Sequence, residues 1–196
     1  MRKGLIMEEF RFPFPGRELA DRELTYDPCY GKIPEADRGS IIEKAWQKGC
    51  DAAQTVFDRE GGSYDFAAIA RGSGLTLTEV PKDYVVGKQR YFSDYISGQK
   101  LINLYIGSIV KWAEQNGLDC ETAVNLILSH EYYHYLEMNE IGLASRDYLV
   151  PMVIIGPLKL GKTGIRALSE VGAHAFARKY YELVKEKERQ NEAAEL

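Results

Sequence analysis

The pentapeptide HEYYH at positions 130–134 lies inside a predicted helix and spaces two histidines four residues apart. Side chains four residues apart lie on one face of a helix, so the imidazoles of His130 and His134 can both reach one metal ion. Glu131 lies on the flank of that face, where it can accept a proton from a water bound to the metal. The alternative interpretation is two core or solvated histidines beside a surface glutamate.

A third ligand has to come from elsewhere, because a catalytic zinc ion normally takes three protein ligands and a water. The predicted last helix carries Glu170 and His174, the third histidine of the chain, on a stripe that includes Ala173 and Ala177. The alanines would let another helix approach closely. We expect Glu170 to be the third metal ligand and His174 to have a catalytic role, orienting a ligand or polarising the substrate. A ligand role for His174 and a solvated Glu170 are the alternatives.

A competing motif, GPLKLGKT at positions 156–163, matches the phosphate-loop pattern GxxxxGK[ST]. It follows an apolar run and precedes a predicted helix, as a phosphate loop does. However, a nucleotide-binding fold with a phosphate loop needs further strands and a carboxylate downstream of the motif. The residues that follow this motif predict only one helix and a charged tail. We interpret the segment as a turn that begins the last helix, and nucleotide binding is the lesser alternative.

The hydrophobic spacing predicts an α+β fold in which a small antiparallel sheet packs against helices. The HEYYH helix is central and the third ligand lies on the C-terminal helix. We expect an irregular arm over 1–39, one domain over 40–186 and a charged tail over 187–196. The predicted elements are a helix from Ser40, which has capping-box spacing with Glu43, to Gly61; a helix over 63–71; strands over 75–80, 90–96 and 100–106; helices over 108–116 and 119–139; an unpatterned connection over 140–162; and a helix from Thr163.

Composition excludes several classes of protein. With 25 Lys and Arg against 29 Asp and Glu, the net charge is −4, which gives no electrostatic argument for direct binding to nucleic acid or to an anionic membrane. The three cysteines contain no CxxC pair and fit a reducing compartment. The apolar run over 148–158 is shorter than the ~20 residues of a membrane helix. We expect it to complete the core, and lining a substrate cleft is the alternative. The start of the chain lacks the features of a signal peptide, so we expect a cytoplasmic protein.

The sequence resembles the ImmA/IrrE-type zincin-like metallopeptidases over roughly residues 40–185. The resemblance rests on HEYYH after a hydrophobic stretch, and on E-x-x-A-H-x-F-A beginning at Glu170, where the family has E-x-x-A-N-x-F-A. It implies a zincin-like fold and a gluzincin-like site in which His130, His134 and Glu170 bind Zn²⁺ and Glu131 is the general base. It also implies cytoplasmic proteolysis of a protein such as a transcription regulator. The chain departs from the family at Tyr132-Tyr133, at His174 and in its long connection between the two motifs.

These observations together predict a single-domain zinc metallopeptidase acting on a protein or peptide substrate. Zinc and one side-chain donor, His174 or a tyrosine, would hold the oxyanion. A zinc-binding regulatory module without proteolysis and a zinc hydrolase acting on other bonds are alternatives from other classes. The N-terminal arm either covers the site or docks a partner, and the sequence does not indicate an oligomeric state.

Overall fold

A computed structural model describes residues 12–194. This part of the chain confirms the α+β class. Its helices are α1 (Ala20–Thr25), α2 (Glu35–Arg59), α3 (Phe66–Gly72), α4 (Ile106–Asn116), α5 (Cys120–Leu136) and α6 (Ala167–Ala194). Its strands are β1 (Thr76–Val80), β2 (Tyr84–Val86), β3 (Gln89–Tyr91), β4 (Ser93–Ile96), β5 (Leu101–Tyr105), β6 (Leu149–Ile155) and β7 (Leu158–Gly164).

Helix α5 is the central element because it is apolar on nearly every side. Asp119 caps its start as predicted, since the side chain accepts a hydrogen bond from the Thr122 amide at 2.8 Å. The helix continues as a π-helical turn, Glu137–Ile141, and stops at Gly142, whose φ of 76° suits glycine. Most of its residues between Ala123 and Leu136 are buried, including all three tyrosines.

Helix α6 packs closely against both α2 and α5, and glycines permit the contact. A side chain at Gly49 of α2 would collide with the backbone of Gly172 on α6. A side chain at Gly172 would collide in turn with the ring of Tyr133, whose Cζ would lie 2.6 Å away. Ala173 and Ala177 are fully buried, as the small-residue stripe predicted. This packing turns the polar residues of α6 toward α5.

The main sheet has three strands in the order β1-β5-β4 and is mixed, so the antiparallel prediction is only partly right. The predicted hairpin exists as antiparallel β4 and β5, but β1 pairs parallel to β5. The intervening chain also forms the small hairpin β2-β3, which occupies part of the predicted strand over 90–96. Asp83 anchors this hairpin, because its carboxylate pairs with Arg90 at 2.8 Å and with Lys111 of α4 at 2.6 Å.

The connection over 140–162 was predicted to lack regular structure, and this prediction is wrong. Strands β6 and β7 form an antiparallel hairpin that turns at Gly156, where φ is 58°. Val150 is buried, but the large apolar residues of the outer hairpin are exposed by 43–62%, so most of the run over 148–158 does not complete the core. These exposed residues are Met152, Val153, Ile154, Ile155, Leu158 and Leu160.

The N-terminal region is more regular than predicted. It contains α1, and α2 begins at Glu35 after Pro34, with acidic residues in its first turn that suit a helix N-terminus. Ser40 therefore lies inside α2 and donates to the carbonyl of Asp37 instead of capping the helix. Helix α6 begins at Ala167, later than predicted, and extends through most of the predicted tail. The first eleven residues of the predicted arm and the last two of the tail lie outside the described residues. No helix within 12–194 is both long and apolar enough to cross a membrane.

Candidate metal centre

Helices α5 and α6 bring four ligand-type side chains together at the floor of a cleft. The Nε2 atoms of His130 and His134 on α5 lie 3.3 Å apart. The carboxylate of Glu170 on α6 lies 3.3 Å from His130 Nε2 and 3.7 Å from His134 Nε2. Ligand atoms of His130, Glu170 and His174 all lie within 4.8 Å of one another. These residues therefore form a cluster that could hold a metal ion.

The distances in this cluster match the spacing of ligands around one ion. Tetrahedral ligands at bond lengths of ~2.0–2.1 Å are ~3.3–3.4 Å apart. The separations of His130 Nε2 from His134 Nε2 and from Glu170 Oε2 are both 3.3 Å, and His134 Nε2 is slightly farther from Glu170 Oε1, at 3.7 Å. Imidazole nitrogens and one carboxylate are also donor types that zinc prefers. The residues present thus fit a zinc ion.

A buried carboxylate that the sequence analysis missed sets the orientation of His134. Glu137 is 2% exposed, and its Oε2 lies 3.1 Å from His134 Nδ1. This contact favours a proton on Nδ1, so that in the neutral imidazole Nε2 would be the nitrogen that presents a lone pair to the cluster. Glu137 Oε1 accepts from the Ala144 amide at 2.7 Å and from the Ser169 hydroxyl at 2.9 Å. Every polar atom of this buried carboxylate is thereby satisfied.

The pKa values show how strongly these groups interact. Burial alone would lower the pKa of His134, but the hydrogen bond to Glu137 and the charges of Glu170 and Glu131 outweigh it and raise the pKa to about 9. Partial burial alone would raise the pKa of Glu170, but the hydrogen bond and charge of His130 lower it to about 2. Glu170 is therefore a carboxylate at neutral pH.

His174 lies one turn beyond Glu170 on α6, within ligand distance of the cluster. Its ring centroid is 5.1 Å from that of His130. Burial, and then the charge of His130, lowers the pKa of His174 to about 3, so the ring is neutral at physiological pH. A neutral imidazole can be a ligand or a hydrogen-bond donor, and both roles proposed from the sequence stay open.

The described part of the N-terminal arm covers one side of the cluster. The Phe14 ring lies 5.7 Å from His174 and 5.7 Å from His130, and it also stacks on Trp112. On α1, partial burial and then the charge of Glu170 raise the pKa of Glu23. Sequence spacing gives no signal for contacts across more than 100 residues.

Glu131 lies beside the cluster and lines the same cleft. It is 9% exposed, and its Oε1 accepts a 2.6 Å hydrogen bond from the Ser93 hydroxyl of β4. Tyr132 and Tyr133, the residues that depart from the family pattern, point away into the core. The Tyr132 hydroxyl accepts from Arg59 at 2.6 Å. These two tyrosines therefore do not shape the cleft.

The cleft has a volume of about 610 Å³ and runs between the edge strand β4 and helices α5 and α6. Besides the cluster, its lining residues are Tyr91, Ser93, Tyr95, Ser97, Glu131, Glu137, Met138, Leu143, Ser145, Arg166 and Ser169. This volume is within the range of ~300–1,000 Å³ typical of ligand sites. The cleft is therefore large enough for several residues of a peptide.

The competing phosphate-loop motif does not form a phosphate loop. Residues 158–164 are strand β7, and Lys162 is paired with Pro151 of β6 in the hairpin. A phosphate loop would need a loop that wraps backbone amides around an anion directly before a helix. The interpretation as a turn at the start of α6 is also wrong, because the helix begins only at Ala167.

Comparisons of the chain with models of protein families, with curated proteins and with solved structures found no match. The geometry of the site therefore carries the functional argument.

Proposed function

We propose that this chain is a zinc-dependent metallopeptidase with a zincin-like α+β fold. The observation that carries the proposal is the separation of 3.3–3.7 Å among the ligand atoms of His130, His134 and Glu170, with the carboxylate of Glu131 beside them in an open cleft. A zinc ion held there would polarise a substrate carbonyl and make water acidic enough to lose a proton near neutral pH. The proposal assigns His130, His134 and Glu170 as ligands.

In this proposal Glu131 is the general base. Its carboxylate accepts the proton of the attacking water and can return it to the leaving amine. The hydrogen bond from Ser93 fixes one oxygen of Glu131 and leaves the other free for this task. Among the described residues, β4 has a strand partner on one side only, so an extended peptide can pair with its free edge. Tyr95 and His174 are the candidate donors to the developing oxyanion.

We extend this proposal to the substrate and to the cellular compartment. The resemblance to the ImmA/IrrE type supports a cytoplasmic protein substrate such as a transcription regulator. The partly covered cleft supports a flexible segment, since a folded protein surface would meet the residues around Phe14.

Two matched variants test the proposal. His130→Ala removes a ligand, so we expect zinc content to fall from one equivalent to a small fraction. Glu131→Gln keeps the metal site, so we expect one equivalent of zinc and loss of turnover by about 10²-fold or more on a mixed peptide library. Zinc content is measured by elemental analysis and cleavage by mass spectrometry.

The outcomes separate the proposal from its alternatives. Zinc binding without peptide cleavage, and a biological activity that Glu131→Gln leaves intact, would favour a non-proteolytic zinc module. Cleavage of esters or other amides but not of peptides would favour a different hydrolase. Comparison of Glu170→Ala with His174→Ala assigns the third ligand, because only loss of that ligand releases zinc. Full zinc binding by His130→Ala would refute the metal site.

A further inference from the structure

A second pocket, lined by cations, lies next to the metal cleft. Its volume is about 450 Å³. Its lining residues are Ser145, Arg146, Leu149, Lys162, Thr163, Gly164 and Arg166. All three ionisable residues in this lining are cations, and no acid is among them. We call this site the cationic pocket.

The three cations of the cationic pocket are unpaired. Within residues 12–194, neither Arg146, Lys162 nor Arg166 forms a side-chain hydrogen bond or an ion pair. Nearby cations are paired: Lys48 binds Asp147 at 2.8 Å, and Lys32 donates to the carbonyl of Met152 at 2.7 Å. Three exposed cations share this pocket and no acid lines it, so the pocket attracts an anion.

The cationic pocket adjoins the cleft that contains His130, His134 and Glu170. Ser145 and Arg166 line both. The Ser145 amide donates to the Ser169 hydroxyl at 3.3 Å, and Ser169 directly precedes Glu170. Arg166 directly precedes α6 and lies four residues before Glu170. An extended peptide advances ~3.3 Å per residue, so a side chain within about three residues of the scissile bond can reach the pocket.

We propose that the cationic pocket binds the carboxylate of an Asp or Glu side chain in the peptide substrate, within about three residues of the bond cleaved. This inference rests on the proposed function and adds its substrate class. Guanidinium groups from Arg146 and Arg166 can each form paired hydrogen bonds with a carboxylate, and Lys162 adds a point charge. The motif that suggested a phosphate loop thus supplies Lys162 and Thr163 to a different anion site.

Binding of defined peptides tests the inference without turnover. The protein is zinc-loaded Glu131→Gln, and the probes are fluorescein-labelled octapeptides of alanine and serine with three Glu, three Gln or three phosphoserine residues. We expect the Glu peptide to bind about tenfold or more tighter than the Gln peptide, and the difference to shrink with salt. Each of Arg146→Gln, Lys162→Gln and Arg166→Gln should remove most of that preference. Lys159→Gln, on the same strand but outside the pocket, is the matched control.

The outcomes distinguish failure of the pocket from failure of the peptidase. Equal binding of Glu and Gln peptides, or a preference that survives the three substitutions combined, would overturn the inference. Tighter binding of the phosphoserine peptide than of the Glu peptide would overturn the carboxylate assignment. His130→Ala lacks the proposed metal site but keeps the pocket, so its preference for the Glu peptide should persist whether or not the chain is a peptidase.

Discussion

Replacing Glu137 by Gln tests whether this buried carboxylate prepares the metal site. Glutamine has the same shape, and its carbonyl can still accept from Ala144 and Ser169, which now donate to Glu137 Oε1 at 2.7 and 2.9 Å. Its amide would face His134 Nδ1, where the carboxylate accepts a hydrogen bond at 3.1 Å. An amide donor there favours the tautomer with its proton on Nε2, which points at the metal site.

The expected loss can be estimated from comparable second-sphere carboxylates. Removing such a partner typically lowers metal affinity by about 10–100-fold, or about 1.4–2.8 kcal/mol. The fold should change little, because Glu137→Gln keeps both buried hydrogen bonds. Glu137→Ala would leave the Ala144 amide and the Ser169 hydroxyl without their hydrogen-bond acceptor. Each unsatisfied donor would lower the free energy of unfolding by about 1–3 kcal/mol. The two variants therefore separate an effect on zinc affinity from an effect on the stability of the fold.

The assay is zinc affinity by competition with a fluorescent chelator, together with the thermal midpoint of unfolding of the metal-free protein. Glu140→Gln is the control, because Glu140 lies on the same turn but only pairs with Arg59 at the surface, at 3.3 Å. Such exposed pairs contribute about 0–1 kcal/mol. If Glu137→Gln binds zinc as tightly as the unaltered protein, the carboxylate does not prepare His134 and the reasoning is wrong.

Three further substitutions test the surroundings of the site. Phe14→Ala should expose the His174 ring and raise its pKa from about 3 toward its ordinary value, since burial is the main cause of the shift, and NMR titration measures it. Gly172→Ala should destabilise the fold by about 1–3 kcal/mol or more in urea unfolding, because the added carbon collides with α5, whereas Gly39→Ala, with open space, should not. Hydrogen bonds from Lys and Arg partners lower the pKa of Asp83 to about 2. Its stabilisation is therefore present above about pH 4 and lost as the pH falls toward 2, and Asp83→Asn should remove this dependence in acid unfolding curves.

The sequence predicted the elements whose signals are local. Helix α5 has a capping aspartate at Asp119 and a long apolar pattern, and the hairpin β4-β5 has a short turn between two β-rich runs. The small residues around Glu170 and His174 predicted a close helix contact, and α6 does pack on α5 in that way. These features depend on neighbours in sequence, so one chain is enough to infer them.

The sequence could not predict features that depend on distant contacts. The hairpin β6-β7 is exposed on both faces, so its residues show no alternation, and Lys162 was assigned to a loop. The parallel pairing of β1 with β5 joins strands about 20 residues apart, and nothing local selects it over an antiparallel pair. Phe14 contacts His130 only because the segment before α1 folds back onto α4, α5 and α6. The role of Glu137 was detectable, since it lies one turn after His134, but a single acidic residue at that spacing is common.

The charges around the metal centre explain why the structure keeps a glutamate such as Glu137 in its core. Without metal, His134 with its pKa of about 9 is a cation between the carboxylates of Glu137 and Glu170. One positive charge between two negative ones leaves the site with a net negative charge, which attracts a divalent ion. In the proposed zinc site, an ion bound to His134 would replace the proton on Nε2, while the proton on Nδ1 would stay hydrogen-bonded to Glu137. The buried carboxylate stabilises the imidazolium of the metal-free site. In the proposed metal-bound site it would orient the neutral imidazole.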